Sequence, residues 1–247
     1  MATLAVAMAV LGVAAGPARA AEIKVLGTPG VREIYNELLP QFEQASGHTV
    51  TTEWAGTVDV TKRIGGGETV DLVIMARKSL DELTRQGRIV ATSRVDVAKS
   101  GIGVAVRAGA PRPDISTSAA VKALMLSARS IAYSTGPSGV YLDGLVRRMG
   151  IADEIKAKTK LIPPGGAVGV LVADGEAEVG FHQVSELLPV KGIDIVGPLP
   201  PDIQEVTVFG AGVHANATNA EAAKALADFL AAPAAAAVIR KHGMDPG

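Results

Sequence analysis

Tyr133-Ser134-Thr135-Gly136-Pro137-Ser138-Gly139-Val140-Tyr141-Leu142 is the stretch on which the reading of this chain turns. A short apolar run with strand character (130–133) breaks into Ser, Thr and Gly, and a helix-patterned segment then continues to Gly150. The first amides of a helix have no partners inside it, and the helix dipole favours negative charge at that end. Small residues let a ligand approach the backbone, and the hydroxyls of Ser134, Thr135 and Ser138 add movable donors. A plain strand-to-helix turn with a serine cap fits the same ten residues. The other loops have to decide.

Upstream, residues 22–26 and 48–54 read as strands, and 72–75 is a continuous apolar strand of the kind buried on both faces of a sheet. Between them lie an amphipathic helix with Val31, Ile34, Tyr35, Leu38, Leu39 and Phe42 on one face, and a second helix over 58–64. Ser79-Leu80-Asp81-Glu82 matches a capping box for a third helix. This alternation of strand and helix predicts an α/β arrangement with parallel strands. A strand over 101–107 and a Pro-rich loop over 108–116 lead into a second α/β unit. That unit holds a helix (118–126), the opening stretch, strands at 159–162, 178–183 and 193–196, and helices at 167–173 and 183–188. Residues 205–213 read as a strand, and Thr218-Asn219-Ala220-Glu221 forms a second capping box before Ala-rich helices that reach Lys241.

Four strand-to-helix junctions carry Gly, Ser or Thr: 27–30, 55–57, 134–139 and 164–166. In open α/β sheets ligands sit outside the carboxyl ends of the strands. Two such units face to face would aim four helix N-termini into one cleft, and this repetition moves the opening loop off its bland reading.

Composition narrows the classes. Of 247 residues 48% are apolar, 3% aromatic and none cysteine, which excludes disulfides, thiolate metal sites and a cysteine nucleophile. The net charge of −1, with both signs interspersed, points away from nucleic acid and acidic membranes. The four histidines lie far apart without metal-ligand spacing, so no metal site and no cofactor are expected. Residues 1–20 form an apolar run ending in Ala18-Arg19-Ala20, the pattern of a cleaved export signal, and predict a periplasmic mature protein starting near Ala21. No basic residue precedes the run, which points to a true start upstream of Met1. The run breaks at Gly16-Pro17, too short for a membrane anchor.

With these elements in place, the chain resembles the type II periplasmic solute-binding proteins of ABC transporters, the molybdate-binding branch in particular. The residues that carry the likeness are Val25-Leu26-Gly27-Thr28, Gln41-Phe42, Val70-Asp71-Leu72-Val73-Ile74, Pro137-Ser138-Gly139-Val140-Tyr141, the stretch Leu171-Val172-Ala173-Asp174-Gly175-Glu176-Ala177-Glu178-Val179-Gly180, and Ala227-Asp228-Phe229-Leu230 with Ala236-Ala237-Val238-Ile239 and Gly243. The resemblance implies a two-domain α/β fold: mixed sheets flanked by helices, a ligand cleft between the domains, and two crossing strands (101–107 and 205–213) as hinge. Domain 1 would comprise 21–100 plus 208–247, and domain 2 residues 101–207. It further implies a small anionic ligand, an ABC permease partner and a monomer.

Carried over position by position, the resemblance places the ligand at Gly30, Thr57, Ser138, Gly139, Gly165 or Gly166, and Gln183, with Ser134 and Thr135 nearer the hinge; Thr28 of the first junction is a further candidate. Two hydroxyl donors of the molybdate binders are missing here, since Gly30 and Gln183 stand in their places, and this weakens the case for molybdate itself. Arg77, just past the strand at 72–75, would suit a carboxylate. Bland readings stand beside these: a solvated surface arginine for Arg77, helix capping for Thr28 and Thr57, and local backbone capping for Gln183. The expected function is capture of a molybdate-like oxyanion or small organic carboxylate for import. The alternative is an isomerase of a small tricarboxylate on the same scaffold, resembling aconitate isomerases, with Arg77 as clamp and His182 or Tyr141 as base; for His182 a structural role fits equally well.

Overall fold

The computed structural model describes residues 20–163 and 165–247. The export signal expected over 1–20 falls outside them except for its last residue, as does Pro164 of the fourth junction.

The chain begins as strand and helix in alternation: β1 (Glu22–Gly27), α1 (Arg32–Ser46), β2 (Thr49–Trp54), α2 (Thr57–Gly65), β3 (Leu72–Ala76) and α3 (Arg77–Arg85). A long strand, β4 (Val95–Arg107), follows, then α4 (Ser118–Ser127), β5 (Ile131–Ser134), α5 (Pro137–Arg148), α6 (Ala152–Lys156), β6 (Thr159–Ile162) and α7 (Val168–Ala173). β7 (Val179–Gln183), α8 (Val184–Leu187), β8 (Ile193–Pro198), β9 (Val206–Val213), α9 (Ala220–Ala231), α10 (Ala236–Lys241) and β10 (Asp245–Pro246) complete it.

The strands form one curled mixed sheet in the order β2-β1-β3-β9-β4-β7-β5-β6, with β8 and β10 also on β4. β1 pairs in parallel with β2 and β3, and β5 in parallel with β6 and β7. All pairings of β4 are antiparallel, as is that of β3 with β9. β4 is the strand the sheet is hung on. Its first part, Val95 to Gly101, lies against β9, and its second part, Ile102 to Arg107, lies between β7 and β8. The sequence pattern starts this strand only at 101, because Asp96, Lys99 and Ser100 interrupt the apolar run. The ladder with β9 extends it back to Val95.

Burial explains the layers. All five residues of β3 are buried, as befits a strand with neighbours on both sides and helices on both faces, whereas the edge strand β2 only half-buries alternate residues. On the first sheet segment, Ile34, Tyr35, Leu38 and Phe42 of α1 and Leu226, Ala227 and Leu230 of α9 pack against Ile23, Val25, Leu72 and Ile74. Val60, Ile64, Leu80 and Leu83 cover Leu26, Val73 and Met75 on the opposite face. The second segment has its own core around Ile102, Val104, Ile131, Tyr133, Leu142, Leu145 and Phe181.

Neither capping box is used. β3 runs straight into α3 at Arg77, so Ser79 already lies inside the first turn, and Ala76 at the N-cap has no side chain to offer. At α9 the N-cap is Asn219, whose amide N–H donates to Asp71 Oδ1 (2.8 Å) and whose Nδ2 donates to Glu22 O (2.8 Å). That residue ties the helix start to the sheet instead of capping it. The pattern does not announce α6 or β10; both are short.

Candidate functional site

Four junctions and the end of β7 converge on a small cavity of about 20 Å³. On the same scale one water takes about 10–15 Å³, so the space suits a compact group of few heavy atoms. Thr28, Gly30, Gly56, Thr57, Ser134, Gly136, Ser138, Gly165, His182, Gln183, Glu186 and Phe209 are among its lining residues. No lysine or arginine among the described residues lines it.

The first wall comes from the β1 and β2 junctions. Thr28 N donates to Ile74 O (2.9 Å), which fixes the loop after β1 and leaves the Thr28 hydroxyl buried without a partner. Gly30 is needed for space, since a Cβ there would stand 2.3 Å from the Phe209 ring. Gly56 is the N-cap of α2 and Thr57 its first residue. With glycine at the cap, no side chain takes the first-turn amides of this nine-residue helix.

The opposite wall repeats the device. Gly136 caps α5, again with no side-chain bond, and Pro137 occupies the first helical position, where its missing N–H is harmless. Ser134, at the end of β5, accepts at Oγ from Gly136 N (3.3 Å), and Ser138 is 2% exposed. Gly165, at φ +80°, closes the cavity from the second segment toward the first: a Cβ on it would stand 3.4 Å from Pro29 Cγ and 3.5 Å from Gly56 N.

The floor is β7 and the turn after it. Gln183 Nε2 donates to Thr207 Oγ1 (2.7 Å), while Gln183 Oε1 is buried with no partner. Because the Thr207 hydroxyl can also donate, the amide can be turned to present its NH₂ to the cavity. His182 is buried, and desolvation holds its ring down to about 4, so it is neutral at neutral pH. Its Nδ1 lies 3.5 Å from Glu186 Oε2. Burial pushes the Glu186 carboxyl up to about 7, against a weaker opposite pull from the Arg32 guanidinium.

Of the residues the sequence nominated, Thr28, Gly30, Thr57, Ser138, Gly165, Gln183 and His182 meet in this cavity. Gly139 and Gly166 do not line it. Gly139 serves packing: a Cβ on it would fall 1.4 Å from Ser134 O, so only glycine lets α5 sit on the end of β5. Gly166 lies against Ile162 and Pro163. Arg77 is placed elsewhere. It pairs with Asp96 and Asp81, is 47% exposed at the side chain, and lines a neighbouring cavity of about 630 Å³ with Lys78, Val140 and Tyr141. Thr57, Gly136 and Pro137 border both cavities. Tyr141 is likewise outside the small cavity, and its hydroxyl donates to Ile203 O (2.9 Å). Ser134 turns out to be a wall residue of the small cavity, whereas Thr135 lines the larger one. Sequence reasoning misses Glu186. Nothing local distinguishes it from other carboxylates on short helices, and only the tertiary structure brings it to Thr28.

The family described as bacterial extracellular solute-binding protein matches residues 23–245. An aconitate isomerase from Pseudomonas sp is 38% identical over 230 residues, covering 91% of this chain and 87% of that protein. The molybdate-binding protein ModA of Escherichia coli is 26% identical over 232 residues, covering 90% and 88%. Among solved structures, the periplasmic molybdate-binding protein of Azotobacter vinelandii superposes with a TM-score of 0.74 at 21% identity, over 90% of this chain and 98% of that one.

Proposed function

This chain belongs to the bacterial extracellular solute-binding protein family, and from that premise we propose that it captures a small anion, an oxyanion or a small organic carboxylate, in the cavity between its two sheet segments. The observation that carries this is a pair of buried polar atoms without partners, Thr28 Oγ1 and Gln183 Oε1, in a space faced by the uncapped starts of α2 and α5. A buried polar group left unpaired is unfavourable by about 1–3 kcal/mol, and a hydrogen bond to a charged group contributes about 1.5–3 kcal/mol. A bound anion would satisfy the Thr28 hydroxyl, the turned Gln183 amide, Ser138 and the first-turn amides together.

On this reading residues 21–100 with 208–247 form one domain and 101–207 the other, and they close on the anion about β4 and β9. The mature protein would work as a monomer in the periplasm and deliver its ligand to an ABC permease. The molybdate-binding relatives favour an oxyanion. Glycine at position 30 and glutamine at 183 favour a ligand other than molybdate.

A second reading has its own support: isomerisation of a small tricarboxylate, a molecule larger than this cavity, which would have to widen to admit it. The aconitate isomerase relative is one part. The other is Glu186, a carboxyl in the cavity wall held at about 7, where a group can both take and return a proton at neutral pH.

Calorimetric titration of residues 21–247 with molybdate, tungstate, sulfate and di- and tricarboxylates tests the first reading. Binding of at least one anion is expected, and no heat from any of them overturns it. Proton NMR of cis- and trans-aconitate incubated with the protein tests the second, which interconversion supports and unchanged spectra refute.

A further inference from the structure

We infer that Glu186 is itself a ligand-binding group, which holds a proton when the cavity is filled and donates it in a hydrogen bond to the bound anion. The inference rests on the reading that the cavity takes an anion, and it adds a residue and a proton to that reading.

Glu186 lines the same cavity as Thr28, Ser138 and Gln183, and its side chain is mostly buried, with 18% exposure. Among the described residues no hydrogen bond reaches its carboxyl. The groups facing it can be followed element by element. β7 contributes His182, which burial keeps neutral. The start of α1 contributes Arg32, whose guanidinium lies over the Trp54 ring, 5.2 Å from its centroid. The turn Pro29–Val31 and α7, which also pack on α8, carry no titratable side chain. β4 meets α8 through Gly103, which lies against Val184 and Leu187, and through Ser100, whose Oγ accepts from Ser185 N (3.4 Å). Beyond Val184 and Leu188 lies Gly243, whose neighbours Lys241 and His242 pair with Glu37.

Nothing in this set neutralises a Glu186 carboxylate by direct contact. An anion on Thr28 and Ser138 would then face a second negative charge across a cavity only a few ångströms wide. Two unit charges about 5 Å apart at an effective dielectric near 20 repel strongly enough to weaken binding roughly a hundredfold. Protonation removes the repulsion and turns the carboxyl into a donor, matching the neutral donors around it. The sign follows from linkage. In the free protein the group changes charge near 7. Below that, affinity is independent of this proton; above it, each pH unit weakens binding by up to tenfold, and one proton enters with the anion.

The test is calorimetry with molybdate, sulfate and trans-aconitate at about pH 6 and about pH 8, in buffer pairs that differ in ionisation enthalpy. In the wild-type protein about one proton should be taken up per anion at the higher pH, with close to none at the lower. Glu186→Gln, which keeps the shape and an N–H donor, should bind without proton uptake and with equal affinity at both. Binding at about pH 8 with no proton uptake, or an unchanged pH profile in E186Q, overturns this inference and leaves the anion site standing. Absence of binding by every probe at about pH 6 overturns the anion site as well. The wild-type proton count needs no variant, so it decides the matter even where E186Q misfolds.

Discussion

Replacing Thr28 by valine separates a ligand group from a structural one, because the two roles predict opposite signs. Thr28 is 2% exposed, its backbone N–H is already bonded to Ile74 O, and its hydroxyl has no partner. Valine keeps the β-branched shape and removes only the unpaired oxygen. The ligand-free protein should therefore lose the penalty of an unsatisfied buried hydroxyl, a gain of about 1–3 kcal/mol. For a chain of this length that raises Tm by roughly 2–4 °C per kcal/mol. Anion affinity should move the other way. Losing one hydrogen bond to a charged ligand removes about 1.5–3 kcal/mol, a tenfold to hundredfold rise in Kd. Thr28→Ser, which retains the hydroxyl, should bind close to wild type. Thermal unfolding without ligand and calorimetry with the tightest-binding anion of the panel measure both quantities. A Tm that falls while affinity stays unchanged would show that the hydroxyl supports the loop after β1 and takes no part in binding an anion.

Gly139→Ala places a Cβ 1.4 Å from Ser134 O and must push α5 off β5; a loss of about 3 kcal/mol or more is expected on denaturant unfolding, and a loss below about 1 kcal/mol would contradict the close approach. Arg77→Ala removes surface ion pairs with Asp96 and Asp81 outside the small cavity, so anion affinity should change by less than about twofold and stability by no more than about 1 kcal/mol; a tenfold loss of affinity would return Arg77 to the site. His182, held at about 4 by burial against 6.5 unperturbed, leaves the unfolded chain binding its proton more readily between those values. Stability should fall by up to about 3 kcal/mol as pH drops from 6.5 to 4. Glu186 works in the opposite sense, losing stability as pH rises from 4.5 to about 7. The histidine effect is therefore read as the difference between Glu186→Gln and the His182→Gln, Glu186→Gln double variant, and identical pH profiles for the two would refute neutral burial.

Short-range physics accounts for everything that is legible along this chain. Hydrophobic period marks α1 and α9 as amphipathic helices, and the unbroken apolar run of β3 marks a strand with both faces covered, because spacing alone decides which side chains share a face. The Gly, Ser and Thr junctions are legible for the same reason: a strand that must turn into a helix within a few residues needs small residues there, whatever the rest of the chain does. Long-range placement is different. That β3 enters α3 without a loop, so that Ser79 caps nothing, depends on how far the sheet pairs with β9. That Arg77 turns to Asp96 and away from the small cavity depends on the backward extension of β4 to Val95, which no local pattern announces. That position 139 also has to be glycine for packing shows only once α5 is seated on the carbonyl of Ser134. Glu186 shows the limit most clearly. Along the chain it is one carboxylate among many, and only closure of the sheet around β4 sets it beside Thr28, more than 150 residues away, where loss of water raises its proton affinity and gives it chemistry.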